Sequence, residues 1–169
     1  LSFGAVIVGI VGFVYITSTL PAPEEITNRK VAQSTKIYDR GGEFVLYEIH
    51  GEEKRTIIPL GEIPDFVKFA TISIEDGSFY SHPAFDWRGI IRAVTIDFLR
   101  GRLAQGGSTI TQQVVKNLLL SRERTLQRKV KEAILAFRIS QSFSKEQILE
   151  LYVNQIYLGQ RAYGFAAAA

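Results

Sequence analysis

The stretch Ile-Glu-Asp-Gly-Ser-Phe-Tyr-Ser-His at residues 74–82 ends an apolar run on two adjacent carboxylates, Glu75 and Asp76. The apolar residues of 66–74 predict a core helix that stops at an acid. Carboxylates rarely lie against apolar groups without a partner, and a desolvated glutamate has a raised pKa that suits acid/base chemistry near neutral pH. An isolated Glu-Asp pair is also typical of a solvated helix end, so the rest of the chain has to decide.

The beginning of the chain is apolar. Residues 1–20 contain no charged side chain, and 20 residues are enough for one bilayer crossing at about 1.5 Å per residue. We therefore predict a transmembrane helix at 1–20, with the apolar core of a cleaved signal peptide as the alternative. The whole chain of 169 residues is long enough for about one domain with its own core.

Three residue types limit the chemistry. The chain begins with leucine and contains no methionine, so we expect it to be a piece of a longer protein. We expect this piece to be inactive by itself, because further helices are needed to cover the apolar faces around Leu149, Tyr152 and Ile156. The absence of cysteine excludes disulfides and thiol chemistry. The two histidines, His50 and His82, are too few and too scattered for a metal cluster.

Residues 21–62 predict a linker with a small β-sheet. Prolines at 21 and 23 favour a stiff spacer. Asp-Arg-Gly-Gly at 39–42 separates two β-rich segments and predicts a hairpin turn. Residues 55–58 suggest a third strand. We expect this sheet to carry no chemistry.

Helices are predicted from Ile63 onward, and Pro64 suits a helix N-terminus. Residues 87–100 form an unusually apolar amphipathic segment, which suits either a membrane interface or a core. Ser144 and Gln147 match a capping box. The remaining helices are predicted after the glycine loop 105–109 as far as Leu120, at about 125–143 and at 146–155.

Basic residues accumulate between Arg100 and Lys131, where Glu123 is the single acidic residue. Such a stretch usually indicates a solvated face or a nucleic-acid patch. Here Lys116 and Arg124 flank an apolar run at the junction of two predicted helices, next to a glycine loop, which makes a good site for a diphosphate. Glu132 follows Arg128 by four residues, so it can either orient a cation or form a surface salt bridge.

Five motifs follow one another along the chain. They are Glu-Asp-Gly-Ser-Phe-Tyr-Ser-His at 75–82, Gly-Ser-Thr-Ile-Thr-Gln-Gln at 107–113, Arg-Lys-Val-Lys-Glu at 128–132, Ile-Leu-Glu-Leu-Tyr-Val-Asn at 148–154 and Arg-Ala-Tyr-Gly at 161–164. Together they resemble the motifs of the family 51 glycosyltransferases, the peptidoglycan polymerase domain of class A penicillin-binding proteins and of monofunctional transglycosylases. The resemblance runs from about Ser34 to the end of the chain.

The resemblance implies a mainly α, lysozyme-like glycosyltransferase fold at 63–169, truncated at its C-terminus and preceded by the anchor and the hairpin linker. It also implies polymerisation of lipid II into glycan strands, with inversion and release of undecaprenyl diphosphate. Glu75 would be the general base and Glu132 the second catalytic glutamate. The implied substrate-binding residues are Asp76, Ser108, Thr109, Gln113, Lys116, Arg124, Arg128 and Lys129.

Two positions depart from the family pattern: Ala84 and Arg161 stand where many members have glycine. The implied partners are lipid II, the growing glycan chain and the membrane, with no nucleic acid, and the catalytic part would lie outside the bacterial inner membrane. No cofactor is implied, although a divalent metal is compatible with the diphosphate. A lysozyme-like peptidoglycan hydrolase and a non-catalytic membrane-tethered scaffold remain as alternatives; the basic cluster argues against the first and the intact motifs against the second.

Overall fold

Helices dominate the computed structural model, which describes residues 14–23, 25, 33–51, 53–86, 108–119 and 125–169. This confirms the predicted mainly α class. Short 3-10 turns lie at Leu60–Glu62 and Phe79–Ser81. The named elements are β1 Thr35–Tyr38, β2 Val45–Ile49, β3 Lys54–Arg55, α1 Asp65–Glu75, α2 Ile110–Leu119, α3 Leu126–Ser142, α4 Lys145–Gln155, β4 Ala162–Tyr163 and α5 Phe165–Ala168.

Two predicted helices lie wholly or largely outside the described residues. The transmembrane prediction for 1–20 has its first 13 positions there, and residues 14–18 are helical. The amphipathic segment 87–100 lies there entirely. Within the ranges given above, the structure contains no helix with the length and apolar content needed to cross a bilayer.

The predicted hairpin at 36–47 is confirmed. β1 pairs with β2 in antiparallel register, with Ile37 opposite Tyr47. Asp39 organises the turn, because its Oδ1 accepts the backbone N–H groups of Glu43 at 2.9 Å and Phe44 at 3.0 Å. These hydrogen bonds, the one from Phe44 most of all, lower the pKa of the Asp39 carboxyl.

The predicted third strand at 55–58 is wrong in position and in partner. β3 covers Lys54–Arg55 and pairs in parallel with β4 rather than with the hairpin. Buried Arg55 explains the difference: its guanidinium donates to Gln155 at the end of α4 and lies 4.8 Å from the ring centre of Tyr163. The chain around β3 is therefore attached to the helical part of the molecule.

The core forms where α2 packs against both α3 and α4. Each helix contributes one apolar face, as amphipathic periodicity requires. Capping fixes where two of them begin: the Thr125 hydroxyl accepts from Arg128 N at 3.1 Å, and the predicted capping box of Ser144 and Gln147 is present. The buried apolar residues of these three helices are Ile110, Val114, Val115 and Leu118 of α2, Leu135, Ala136 and Ile139 of α3, and Ile148, Leu149, Tyr152 and Val153 of α4.

α1 corrects the prediction of a core helix. It covers Asp65–Glu75 and stops at the predicted acid, but most of its apolar side chains are exposed, including Phe66, Phe69 and Ile74. The apolar residues of α1 are distributed around the helix, and the side chains that pack on the described core are Val67 and Ile72. Composition predicted a buried helix, whereas burial depends on which face meets the core.

The turn after α4 brings Gly164 close to the backbone of Asn154. Gly164 has φ +84°, and a Cβ there would lie 2.9 Å from the Asn154 carbonyl oxygen. Gly164→Ala in the full-length protein should therefore cost about 2 kcal/mol or more of local stability, because it adds both a clash and backbone strain. Hydrogen exchange of the α4 amides measures this as a roughly 30-fold loss of protection.

Gly61→Ala is the matched control, since a Cβ at Gly61 meets nothing within 4 Å. Equal protection of α4 in the two variants would show that the close approach at Gly164 is not a constraint.

Candidate active site

α1 ends where a tight turn begins, and this places Glu75 and Asp76 side by side. Asp76 leaves helical geometry with φ −161°, while its N–H still donates to Ile72 O at 2.9 Å. Phe79 N then donates to Asp76 O at 2.8 Å, and the Phe79 ring is fully buried. The turn is therefore closed by a backbone hydrogen bond and anchored by an aromatic ring.

Asp76 ties this turn to α2. Its Oδ2 accepts the backbone N–H of Ile110 at 3.1 Å, and its Oδ1 lies 2.8 Å from His82 Nε2. A carboxylate is favourable at a helix N-terminus, where free N–H groups and the helix dipole concentrate positive charge. The side chain is 3% exposed, and both oxygens contact protein groups. Its substrate-binding role stays a prediction.

Glu75 contacts the same turn of α2. Its Oε2 accepts a hydrogen bond from Gln113 Nε2 at 2.7 Å, and the residue is half-buried. Tyr152 on α4 is close enough that the charge of Glu75, added to the larger effect of burial, raises the pKa of the Tyr152 phenol. The phenol oxygen is buried and has no hydrogen-bond partner among the described residues. The predicted base thus lies between α2 and α4.

The start of α2 is held by reciprocal hydrogen bonds. Thr109 N donates to Gln112 Oε1 at 2.9 Å, and Gln112 N donates to Thr109 Oγ1 at 3.3 Å. The Thr109 hydroxyl itself donates to the carbonyl of buried Ala84 at 2.8 Å. Thr109, predicted to bind substrate, is therefore buried and engaged in holding the two chain segments together.

The second predicted glutamate is buried beneath a lysine. Glu132 on α3 is 1% exposed, and its Oε1 lies 2.5 Å from Lys129 Nζ. Lys129 Nζ is also 3.0 Å from Ser108 Oγ and is half-exposed. The sequence spacing suggested Arg128 as the partner of Glu132, or a surface salt bridge. The structure instead shows a buried carboxylate paired with Lys129, one turn away.

The remaining predicted cations are distributed as follows. Lys116 is exposed in the last turn of α2, three residues after Gln113 and therefore on the same side of that helix. Arg128 is half-buried, and its Nε is buried without a hydrogen-bond partner among the described residues. Arg124 and the glycines of the loop at 105–107 lie outside the described residues.

Lys145 is a site residue that sequence reasoning missed. Its Nζ donates to the Pro83 carbonyl at 2.9 Å and lies 4.2 Å from the ring centre of Phe79. Burial lowers the pKa of the Lys145 ammonium, and the nearby charge of Asp76 opposes that change. A lysine at the start of a helix gives no sequence signal for a contact made 62 residues earlier in the chain.

Metal ligands do not cluster in the part of the chain that the structure describes: no group of three or more His, Cys, Asp or Glu side chains there could hold an ion. The chemistry available to the described residues is that of one half-buried carboxylate, its amide donor and several cations. Such an arrangement can accept a proton and bind an anion.

Comparison with known proteins identifies relatives across nearly the whole chain. A family model described as Transglycosylase matches residues 42–169. The chain is 45% identical over 166 residues to penicillin-binding protein 1A of Aquifex aeolicus, covering 98% of this chain and 23% of that protein. It is 44% identical over 164 residues to the Neisseria cinerea protein of the same name, covering 96% and 20%, and 45% identical over 166 residues to that of Rickettsia bellii, covering 95% and 21%. The chain therefore spans less than a quarter of the length of these relatives.

The contacts of Asp76 predict that it stabilises the site. Asp76→Ala in the full-length protein should accelerate exchange of the Ile110 amide roughly 100-fold, because the helix loses its acceptor and buried His82 loses its partner. Asp65→Ala is the control: that carboxylate is largely exposed and pairs with Lys68 on the surface, a contact worth about 1 kcal/mol or less. If both variants leave the Ile110 amide equally protected, Asp76 does not hold α2.

Proposed function

The chain belongs to the transglycosylase family, and on that premise we propose that it carries the polymerising site of a peptidoglycan glycosyltransferase. The substrate is lipid II, a disaccharide-peptide joined through a diphosphate to a polyprenyl chain. The observation that carries this proposal is the half-buried Glu75 carboxylate, which α2 holds through Gln113 on the same side as Lys116.

Glu75 is the general base in this proposal. The 4-hydroxyl of the acceptor sugar attacks the anomeric carbon of the donor and gives its proton to the Glu75 carboxylate. The bond from the anomeric carbon to the diphosphate oxygen breaks as the new glycosidic bond forms, and the diphosphate leaves with the electron pair. A single displacement of this kind inverts the anomeric centre and needs one base.

The cations stabilise the diphosphate leaving group in this proposal. Negative charge grows on the diphosphate in the transition state, and positive groups fixed in advance stabilise it. We assign this task to Lys116, Arg124, Arg128 and Lys129. Burial of Glu132 makes direct contact with substrate unsuitable for it, so Glu132 acts by holding the Lys129 ammonium next to Ser108. Thr109 contributes by fixing the start of α2.

The proposal extends to fold and location. The mainly helical structure supports a lysozyme-like arrangement of the domain, and a lipid-linked substrate requires the site to lie close to a membrane surface. We place it on the external face of the bacterial inner membrane, with residues 1–20 as the anchor. The hydrolase alternative would use water as the acceptor and has no need for the cations on the leaving-group side.

Replacement of the base tests the function. Glu75→Gln in the full-length protein should lower the rate of glycan formation from labelled lipid II about 100- to 10,000-fold, because an amide keeps the shape but does not accept the proton. Glu62→Gln changes an exposed carboxylate in a 3-10 turn and should leave the rate unchanged.

The products distinguish the three hypotheses. The unsubstituted protein is incubated with lipid II and, separately, with glycan strands. Polymer made from lipid II supports the proposal, shortened glycan strands indicate a hydrolase, and no change in lipid II or in the glycan indicates a scaffold. Retention by Glu75→Gln of more than about a tenth of the polymerisation rate would exclude Glu75 as the base.

A further inference from the structure

We propose that Gln113 is a positioning residue for the base: its amide holds one oxygen of Glu75 so that the other oxygen takes the proton of the acceptor hydroxyl. The family resemblance places Gln113 among the substrate-binding residues, whereas this inference assigns its amide to the protein's own carboxylate. The inference rests on the proposed function for its chemical meaning, but the contact itself can be tested without it.

The contact joins two elements that are each fixed independently. Gln113 lies in the first turn of α2, where its N–H donates to Thr109 O at 3.0 Å. The same turn is held by Asp76 through Ile110 N. Glu75 closes α1, and its Oε2 lies 2.7 Å from Gln113 Nε2. The backbone of each partner is fixed without the contact, so only the two side chains have to be ordered by it.

The donor belongs to an uncharged group. An amide N–H that donates to a carboxylate favours the ionised form, which is the form that a general base needs. It adds no positive charge that would pair with the diphosphate. The hydrogen bond also fixes the carboxylate plane, and it leaves Oε1 without a protein hydrogen bond among the described residues. Oε1 is therefore the oxygen available to the acceptor hydroxyl.

The other ionisable groups around Glu75 are not expected to change when Gln113 is replaced. Tyr152 on α4 feels the charge of Glu75, and burial keeps its phenol neutral. Asp76 follows directly and is paired with His82, and Lys145 interacts electrostatically with Asp76. Lys116 shares the side of α2 on which Gln113 lies. A change in the titration of Glu75 after substitution at Gln113 can thus be assigned to the lost amide.

The experiment uses the full-length protein and two measurements. Gln113→Met keeps the length of the side chain and removes the donor. We expect the acidic limb of the kcat/KM profile with lipid II to move to higher pH by about one unit, so that the loss of rate is larger at low pH than at the alkaline plateau. Carbon-13 NMR of labelled glutamate carboxyls should show the Glu75 signal titrating at a correspondingly higher pH.

Two further variants complete the design. Gln113→Asn keeps an amide that is one methylene too short, and it should move the acidic limb in the same direction even if Gln113→Met does not fold. Gln141→Met makes the same change at an exposed position on α3 and should move neither the limb nor the carboxyl signal.

The outcomes separate this inference from the proposed function. A raised KM with an unmoved acidic limb and an unmoved Glu75 signal would show that Gln113 contacts substrate, which overturns the inference and leaves the polymerase function intact. Failure of the unsubstituted protein to form polymer would overturn the proposed function, and the role of Gln113 in catalysis with it, even if the NMR titration shows the contact between the two side chains.

Discussion

The geometry of the site depends on the hydrogen bonds that two neighbouring carboxylates, Glu75 and Asp76, accept from the first turn of α2. Asp76 accepts the N–H of Ile110, and Glu75 accepts the amide of Gln113, three residues further along α2. Three residues are nearly one helical turn, so Ile110 and Gln113 lie on the same side of α2. The two adjacent side chains at the end of α1 can therefore both reach them. The buried Asp76 fixes where the two helices meet, and the half-buried Glu75 remains available for chemistry.

α4 supports this junction from two ends. At its start, Lys145 donates to the Pro83 carbonyl and lies against the Phe79 ring, which holds the turn after Glu75. At its end, Asn154 exchanges hydrogen bonds with the backbone of Ile58 at 3.0 and 2.8 Å. The motif at 148–154 therefore contributes packing rather than reacting groups. Arg161 has φ +66°, a left-handed conformation that favours glycine over other residues.

Local signals in the sequence predicted the elements whose cause is local. The end of α1 at Glu75, the turn at Asp39 and the capping box at Ser144 each depend on residues within a few positions of one another. The predictions failed where contacts span the chain. The pairing of β3 with β4 joins segments about 100 residues apart, and which apolar side chains of α1 are exposed depends on packing that periodicity does not show. In the site, resemblance gave Glu75 as the base and Gln113 as a substrate-binding residue, but the hydrogen bond between them is visible in the structure alone.

We propose that a single carboxylate, Glu75, activates the acceptor, while Glu132 stays buried under Lys129. Such a site permits one displacement and no covalent glycosyl intermediate. The most direct measurement is the anomeric configuration of the new linkage, determined by NMR on glycan made by the full-length protein from lipid II of known configuration. We expect complete inversion. Retention would require a second carboxylate acting as a nucleophile and would contradict this proposal.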